Sequence, residues 1–132
     1  VDIDNFIKAK GAIYSGASVL IESLGMDFSV IDKVYIAGGI GNNLNIENSI
    51  LIGLLPDIER EKFVYIGNSS LVGSYLALIS KDAKKKVQEI GTEMTYVELS
   101  VYPTYMDEFI SACFLPHTNI EQFPTVKAIL GE

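Results

Sequence analysis

Cysteine and histidine each occur once, at Cys113 and His117, and tryptophan is absent. One thiol cannot close an internal disulfide, complete a zinc site or hold an iron–sulfur cluster within the chain. Its neighbours Ala112, Phe114 and Leu115 make Cys113 read as a small buried hydrophobe, and this cysteine usage fits a reducing cytoplasm. His117, beside Pro116 in an expected tail loop, reads as a surface residue, since a general base needs a positioned partner. Basic residues are also scarce, 10 Lys and Arg against 17 Asp and Glu, for a formal charge of −7. Binding nucleic acid takes a basic face. The cluster Lys84-Lys85-Lys86 reads instead as the solvated side of a helix. No run of about 18 apolar residues suits a membrane span. Acidic residues are scattered, with no metal-ligand cluster, so no catalytic residue and no metal ligand are assigned. Val1 is not a natural start, and further chain is expected upstream.

What is present supports one domain with a real core: 48% of the residues are hydrophobic and 20% charged. Ile3, Phe6, Ile7, Ile13, Ala17, Leu20, Ile21 and Leu24 recur at spacings of three and four, which predicts a helix over 3–25 with that stripe inward, ended by Gly25. Gly11 and Gly16 interrupt it, each at a cost of about 1 kcal/mol against alanine, which points to close packing or a ligand there. Lys33-Val34-Tyr35-Ile36-Ala37 reads as a strand entering the turn Gly38-Gly39-Ile40-Gly41-Asn42-Asn43. Asn45 caps a short helix to about Gly53, and Leu54-Leu55-Pro56-Asp57 stops it. A second cycle follows: strand 63–66, turn Gly67-Asn68-Ser69-Ser70, and a helix over 71–79 packed through Leu71, Val72, Tyr75 and Leu76. Strand–turn–helix repeats imply parallel strands covered by helices. Further on, a helix over 81–93 with Val87, Ile90 and Met94 inward, a strand over 96–99, a helix over 103–113 and an irregular tail with a loose turn at 126–130 are expected.

The glycine turns are where chemistry would sit. Glycine lets backbone approach a ligand closely, and turn N–H groups can face phosphate or ribose oxygens. In open α/β sheets ligands lie at the carboxyl ends of strands. Each turn alone is also explained as a tight connection or an N-cap. A dinucleotide fingerprint is a poor match, because Leu44 stands where the third glycine belongs, and the P-loop lysine and hydroxyl are missing.

At these residues the chain resembles a known superfamily. Val34-Tyr35-Ile36-Ala37-Gly38-Gly39-Ile40-Gly41-Asn42-Asn43-Leu44 looks like the adenosine-binding motif of actin-like, sugar-kinase and heat-shock chaperone ATPases. Ile52 to Asp57, Gly67-Asn68-Ser69-Ser70-Leu71-Val72-Gly73, Tyr96 to Ser100 and Phe114-Leu115-Pro116-His117-Thr118 are together similar to the C-terminal ATPase domain of reductive activators of corrinoid proteins. The resemblance implies an α/β fold, a partial ribonuclease-H-like domain with an extra C-terminal strand–helix and an irregular tail. Residues 1–132 would then be the C-terminal nucleotide-binding part of a longer protein. It implies ATP with Mg2+, a [2Fe–2S] cluster in a separate N-terminal ferredoxin-like domain, and a corrinoid protein as partner. Carried over by motif, Gly38, Gly39, Ile40, Gly41 and Asn42 would contact nucleotide, Lys10 and Tyr14 would flank the adenine, and Gly67 and Asn68 would line the second connecting turn. The phosphate-binding aspartates would lie elsewhere, leaving this chain unable to hydrolyse ATP alone. The alternative is a non-catalytic interaction or dimerisation module.

The absent strands of such a domain would leave an edge at 33–37 or 63–66, and exposed edges recruit other chains. Self-association is the expected outcome, read as a concentration-dependent mass by light scattering; a constant monomer mass would remove it.

Overall fold

The computed structural model describes residues 1–131. Helices dominate. In chain order they are α1 (Asp2–Ser23), α2 (Gly38–Gly41), α3 (Ile46–Leu51), α4 (Ser69–Ile79), α5 (Lys81–Glu93), α6 (Tyr105–Ala112) and α7 (Pro124–Leu130), with strands β1 (Val34–Ala37) and β2 (Phe63–Gly67). The strands pair in parallel, Val34 opposite Phe63, Tyr35 opposite Val64, Ile36 opposite Tyr65, and after a shift Ala37 opposite Gly67. Among the described residues this is a two-stranded sheet. The strand expected at 96–99 does not form: residues 99–101 make a single 3-10 turn, because no neighbouring strand offers a ladder. The tail is more ordered than expected, with α7 entered through Pro124 at its first turn.

Local capping explains the boundaries. Asn45, Asn68 and Ser80 each accept a backbone N–H three residues on, from Asn48, Leu71 and Ala83, starting α3, α4 and α5. Asp57 does the same for α7 from a distance. Its carboxylate, fully buried, accepts the Thr125 N–H at 2.7 Å and also meets Arg60, whose guanidinium reaches on to Glu47 of α3. Burial disfavours the Asp57 charge, but the bonds from Thr125 and Arg60 outweigh it and hold the carboxyl below its ordinary range.

The core gathers Tyr14, Ile36, Ile50, Phe63, Ala112, Phe123 and Val126. It corrects the expected orientation of α1. The buried face is Lys10, Gly11, Tyr14, Ser15 and Val19, whereas most of the apolar stripe (Ile3, Phe6, Ile13, Leu20 and Leu24) is exposed, Ile3 to 80%, and Ile7, Ala17 and Ile21 are half-buried. The helix is apolar on two sides, and α6 takes the side where Gly11 admits it: a β-carbon at Gly11 would lie 2.9 Å from Cys113 Sγ. The apolar residues of α4 and α5 are likewise uncovered rather than inward. Neither helix contains a buried residue, and Leu71, Val72, Tyr75, Leu76, Val87, Ile90 and Met94 are all exposed. The two pack chiefly on each other. In all, 9054 Å² is accessible, whereas a compact monomer of 14.5 kDa exposes roughly 6,900 Å². That surplus is the size of one side of a large obligate interface.

Lys10 fastens the tail to α1. Its ammonium, 1% exposed, donates to the carbonyls of Ala112, Phe114 and Pro116, the last two at 2.6 Å. A lysine supplied by another helix thus caps the end of α6. Desolvation lowers its pKa to about 8. The Pro116 carbonyl also abuts Gly53, where a β-carbon would sit 2.1 Å from it.

Lys10→Met leaves three carbonyls without their donor and is expected to cost about 2–4 kcal/mol in urea unfolding. The sign of its pH dependence follows from linkage. The folded protein releases the Lys10 proton near pH 8, the unfolded chain nearer 10.5, so stability of the wild type relative to Lys10→Met should rise with pH across that window. Gly53→Ala, at φ +74° and against Pro116, should cost about 2–5 kcal/mol. Gly25→Ala, at φ +68° in open space, should cost only about 1–2 kcal/mol. Equal losses at the two glycines in calorimetry would show that the Pro116 contact is not tight.

Candidate functional site

Parallel pairing fixes where the two glycine turns lie. Because Ala37 sits opposite Gly67, β1 and β2 end at the same level and both turns leave the same end of the sheet. Gly38 has φ +87° and Gly67 φ +65°, a backbone region in which side chains are disfavoured. Beyond their own neighbouring backbone, no atom lies within 4 Å of where a β-carbon would stand at Gly38, Gly39 or Gly67, so the main chain there is open on that side. Ile40, in the same turn, is 83% exposed, and Asn42 is exposed beside it.

The glycines are not equivalent. Gly41 is buried, and a β-carbon on it would meet Ile36 Cγ2 at 2.7 Å; its smallness lets α2 fold back on β1. Asn43 steadies the turn by donating from Nδ2 to the Gly39 carbonyl at 2.9 Å. Tyr65 of β2 donates its hydroxyl to the Leu44 carbonyl, so the second strand braces the segment that follows the first turn. The Asn68 side chain is engaged as the α4 cap.

Lys10 and Tyr14 are placed apart from these turns, toward the tail. The three protons of the Lys10 ammonium go to three carbonyls, which leaves it no donor for a ligand. Tyr14, 2% exposed, donates to Gln122 Oε1 at 3.0 Å and packs among Phe28, His117 and Phe123, ring centroids 5.3–5.8 Å away. Burial pushes its phenol pKa up.

His117 corrects another expectation. It is buried, 7% exposed, because Lys10 draws the 112–116 segment inward. Its Nδ1 accepts the Asn119 N–H at 3.0 Å, and its Nε2 stands 3.6 Å from Glu108 Oε1. That neighbour holds the Glu108 carboxyl below its usual range, with burial opposing and Ser18 assisting; at 3.6 Å the contact is too long for a hydrogen bond. Glu108 also lines a cleft of about 580 Å³ with Tyr14, Ser18, Glu22, Asp27 and Asp57. The only sequence signal for it was the stretch Phe114–Thr118, read as a tail loop. Among the described residues no group of three acidic, histidine or cysteine side chains is placed to hold a metal ion, and no helix is long and apolar enough to cross a membrane.

Known proteins share this sequence and fold. Residues 1–127 match the family described as the C-terminal domain of RACo, the ASKHA domain. The chain is 35% identical over 102 residues to the corrinoid activation enzyme RamQ of Eubacterium limosum, covering 77% of this chain and 17% of that protein. A solved structure titled reductive activator for corrinoid, iron-sulfur protein superposes with a TM-score of 0.88 at 52% identity, over 94% of this chain and 20% of that one. The chain therefore spans about a fifth of the length of the relatives it matches. A mostly helical unit with two parallel strands, it belongs to the family of C-terminal ASKHA domains of corrinoid reductive activators.

Proposed function

We propose that these residues form the adenosine-binding wall of an ATPase that drives reductive activation of a corrinoid protein. The observation that carries the reading is the pairing of Ala37 with Gly67, which brings two open glycine turns to the same end of the sheet. In this reading Gly38 and Gly39 bring main chain against the ribose or α-phosphate, Ile40 offers an apolar surface to the base, and Asn42 adds a polar group at the rim. Gly41 and Asn68 act through structure, one admitting α2 onto β1 and the other starting α4. Gly67 supplies the facing wall. Lys10 and Tyr14 support the site from behind by fixing the tail against α1.

The residues fit a nucleotide in that the backbone at Gly38, Gly39 and Gly67 is unobstructed. ATP, with its Mg2+, would supply a cleavable phosphoanhydride whose binding and loss shift the protein between conformations of different nucleotide affinity. Groups that grip phosphate and Mg2+ belong to chain outside these residues. So does the [2Fe–2S] centre, since a single cysteine cannot ligate it. The uncovered apolar faces of α1, α4 and α5 are where the remainder of such a ribonuclease-H-like pair would rest. A second reading, a protein-interaction module without nucleotide, draws on the same faces, above all on Leu78 at 86% exposure.

Isothermal titration with ATP and Mg2+ separates the two, millimolar or tighter binding being expected. Gly39→Val adds bulk in open space at an unremarkable φ. It should leave the urea midpoint within about 0.5 kcal/mol of wild type and weaken nucleotide binding at least about tenfold, or 1.4 kcal/mol. Absence of heat with wild type, or unchanged affinity in Gly39→Val, would contradict the site.

A further inference from the structure

We propose that His117 and Glu108 form a proton-operated latch on the turn that ties α1, α3 and α6 together. A ring nitrogen that accepts a hydrogen bond carries no proton. Acceptance of the Asn119 N–H by Nδ1 therefore makes His117 neutral, with its proton on Nε2. That Nε2 faces Glu108 Oε1 at 3.6 Å, and both atoms are buried without a hydrogen-bond partner. An unpaired buried donor beside an unpaired buried acceptor is costly for both, and the pair is relieved by one event, uptake of a proton.

The proton can enter only at Nδ1. The imidazolium then stands against a carboxylate inside the protein, and attraction draws Nε2–H onto Oε1. At the same time Nδ1–H opposes the Asn119 N–H, donor against donor, and the 117–119 turn must open. Around the ring, α1 presents Tyr14, uncharged, with ring centroids 5.5 Å apart, and the tail presents Phe123 at 6.2 Å. Charged groups facing it are Glu108 and, through the adjacent Pro116 carbonyl, the Lys10 ammonium. Motion of the turn passes to Pro116, whose carbonyl meets both Lys10 and Gly53, and from Gly53 to α3.

His117 is the sole histidine, so its ring is unambiguous in long-range proton–nitrogen NMR of the 15N-labelled chain. The Nε2–H tautomer is expected at neutral pH. On acidification the Asn119 amide should shift with the same midpoint as the ring and exchange with solvent at least about tenfold faster. Glu108→Gln should move that midpoint to lower pH, because the imidazolium loses its carboxylate partner. An Nδ1–H tautomer at neutral pH, an Asn119 amide unmoved through the ring titration, a ring that fails to titrate before the chain unfolds, or a midpoint unchanged in Glu108→Gln would each overturn the latch. Should Glu108→Gln not fold, the tautomer and the Asn119 amide in wild type decide the matter.

Discussion

An ammonium buried among three carbonyl oxygens joins the first helix to a segment more than a hundred residues away. Everything on the inner side of the molecule is arranged around that junction. Lys10 ends α6 at Ala112, turns the Phe114 and Pro116 carbonyls inward, and so delivers His117 to Tyr14 and Phe123. Pro116 in turn sets the approach of Gly53 and the end of α3. A charge without these partners would be expelled from such a place. With them, it does the work that a longer hydrophobic core does elsewhere.

How far the sequence spoke depends on which force was being read. Turn and cap chemistry is local, and Asn45, Asn68, Ser80 and Gly25 sat where helices start or stop. Two of the three expected strands and both glycine turns were equally readable, since β-branched and aromatic runs broken by glycine have few other solutions; the run at 96–99 found no partner strand. Burial was not. Periodicity locates an apolar stripe but not the surface it meets. In α1 the stripe of Ile3, Phe6 and Leu20 faces outward, while Lys10, Tyr14 and Ser15, unremarkable as a pattern, form the core face. The same gap misassigned α4 and α5 as covered, and His117 as a surface residue. Its partners Glu108 and Asn119 meet it through long-range folding of the tail, for which one sequence holds no signal. At the candidate site the motif pointed to two turns, which the structure brings to the same end of the sheet, but it could not sort the roles of their residues. Only coordinates separate Gly39, open on all sides, from Gly41, which Ile36 requires to be small.

Membership of the activator family and the surplus of accessible apolar surface describe one fact from two directions. A chain that is a fifth of its relatives' length need not hide every apolar face that its full-length counterparts bury. Parallel strands normally have both faces covered, yet Tyr35 and Ile66 are exposed here. Such a unit is held by polar fastening, through Lys10 and the Asp57–Arg60–Thr125 group, together with its small hydrophobic centre.

The α4–α5 hairpin contributes no buried residue, so swinging it would leave the centre of the protein dry. It joins the rest of the molecule at two points, the Gly67–Asn68 step where β2 stops and the stretch after Glu93 that leads to the turn at residues 99–101. The first of these is also one of the two open glycine turns. A change of backbone angle at Gly67 would therefore be carried along two helices, each more than ten residues long.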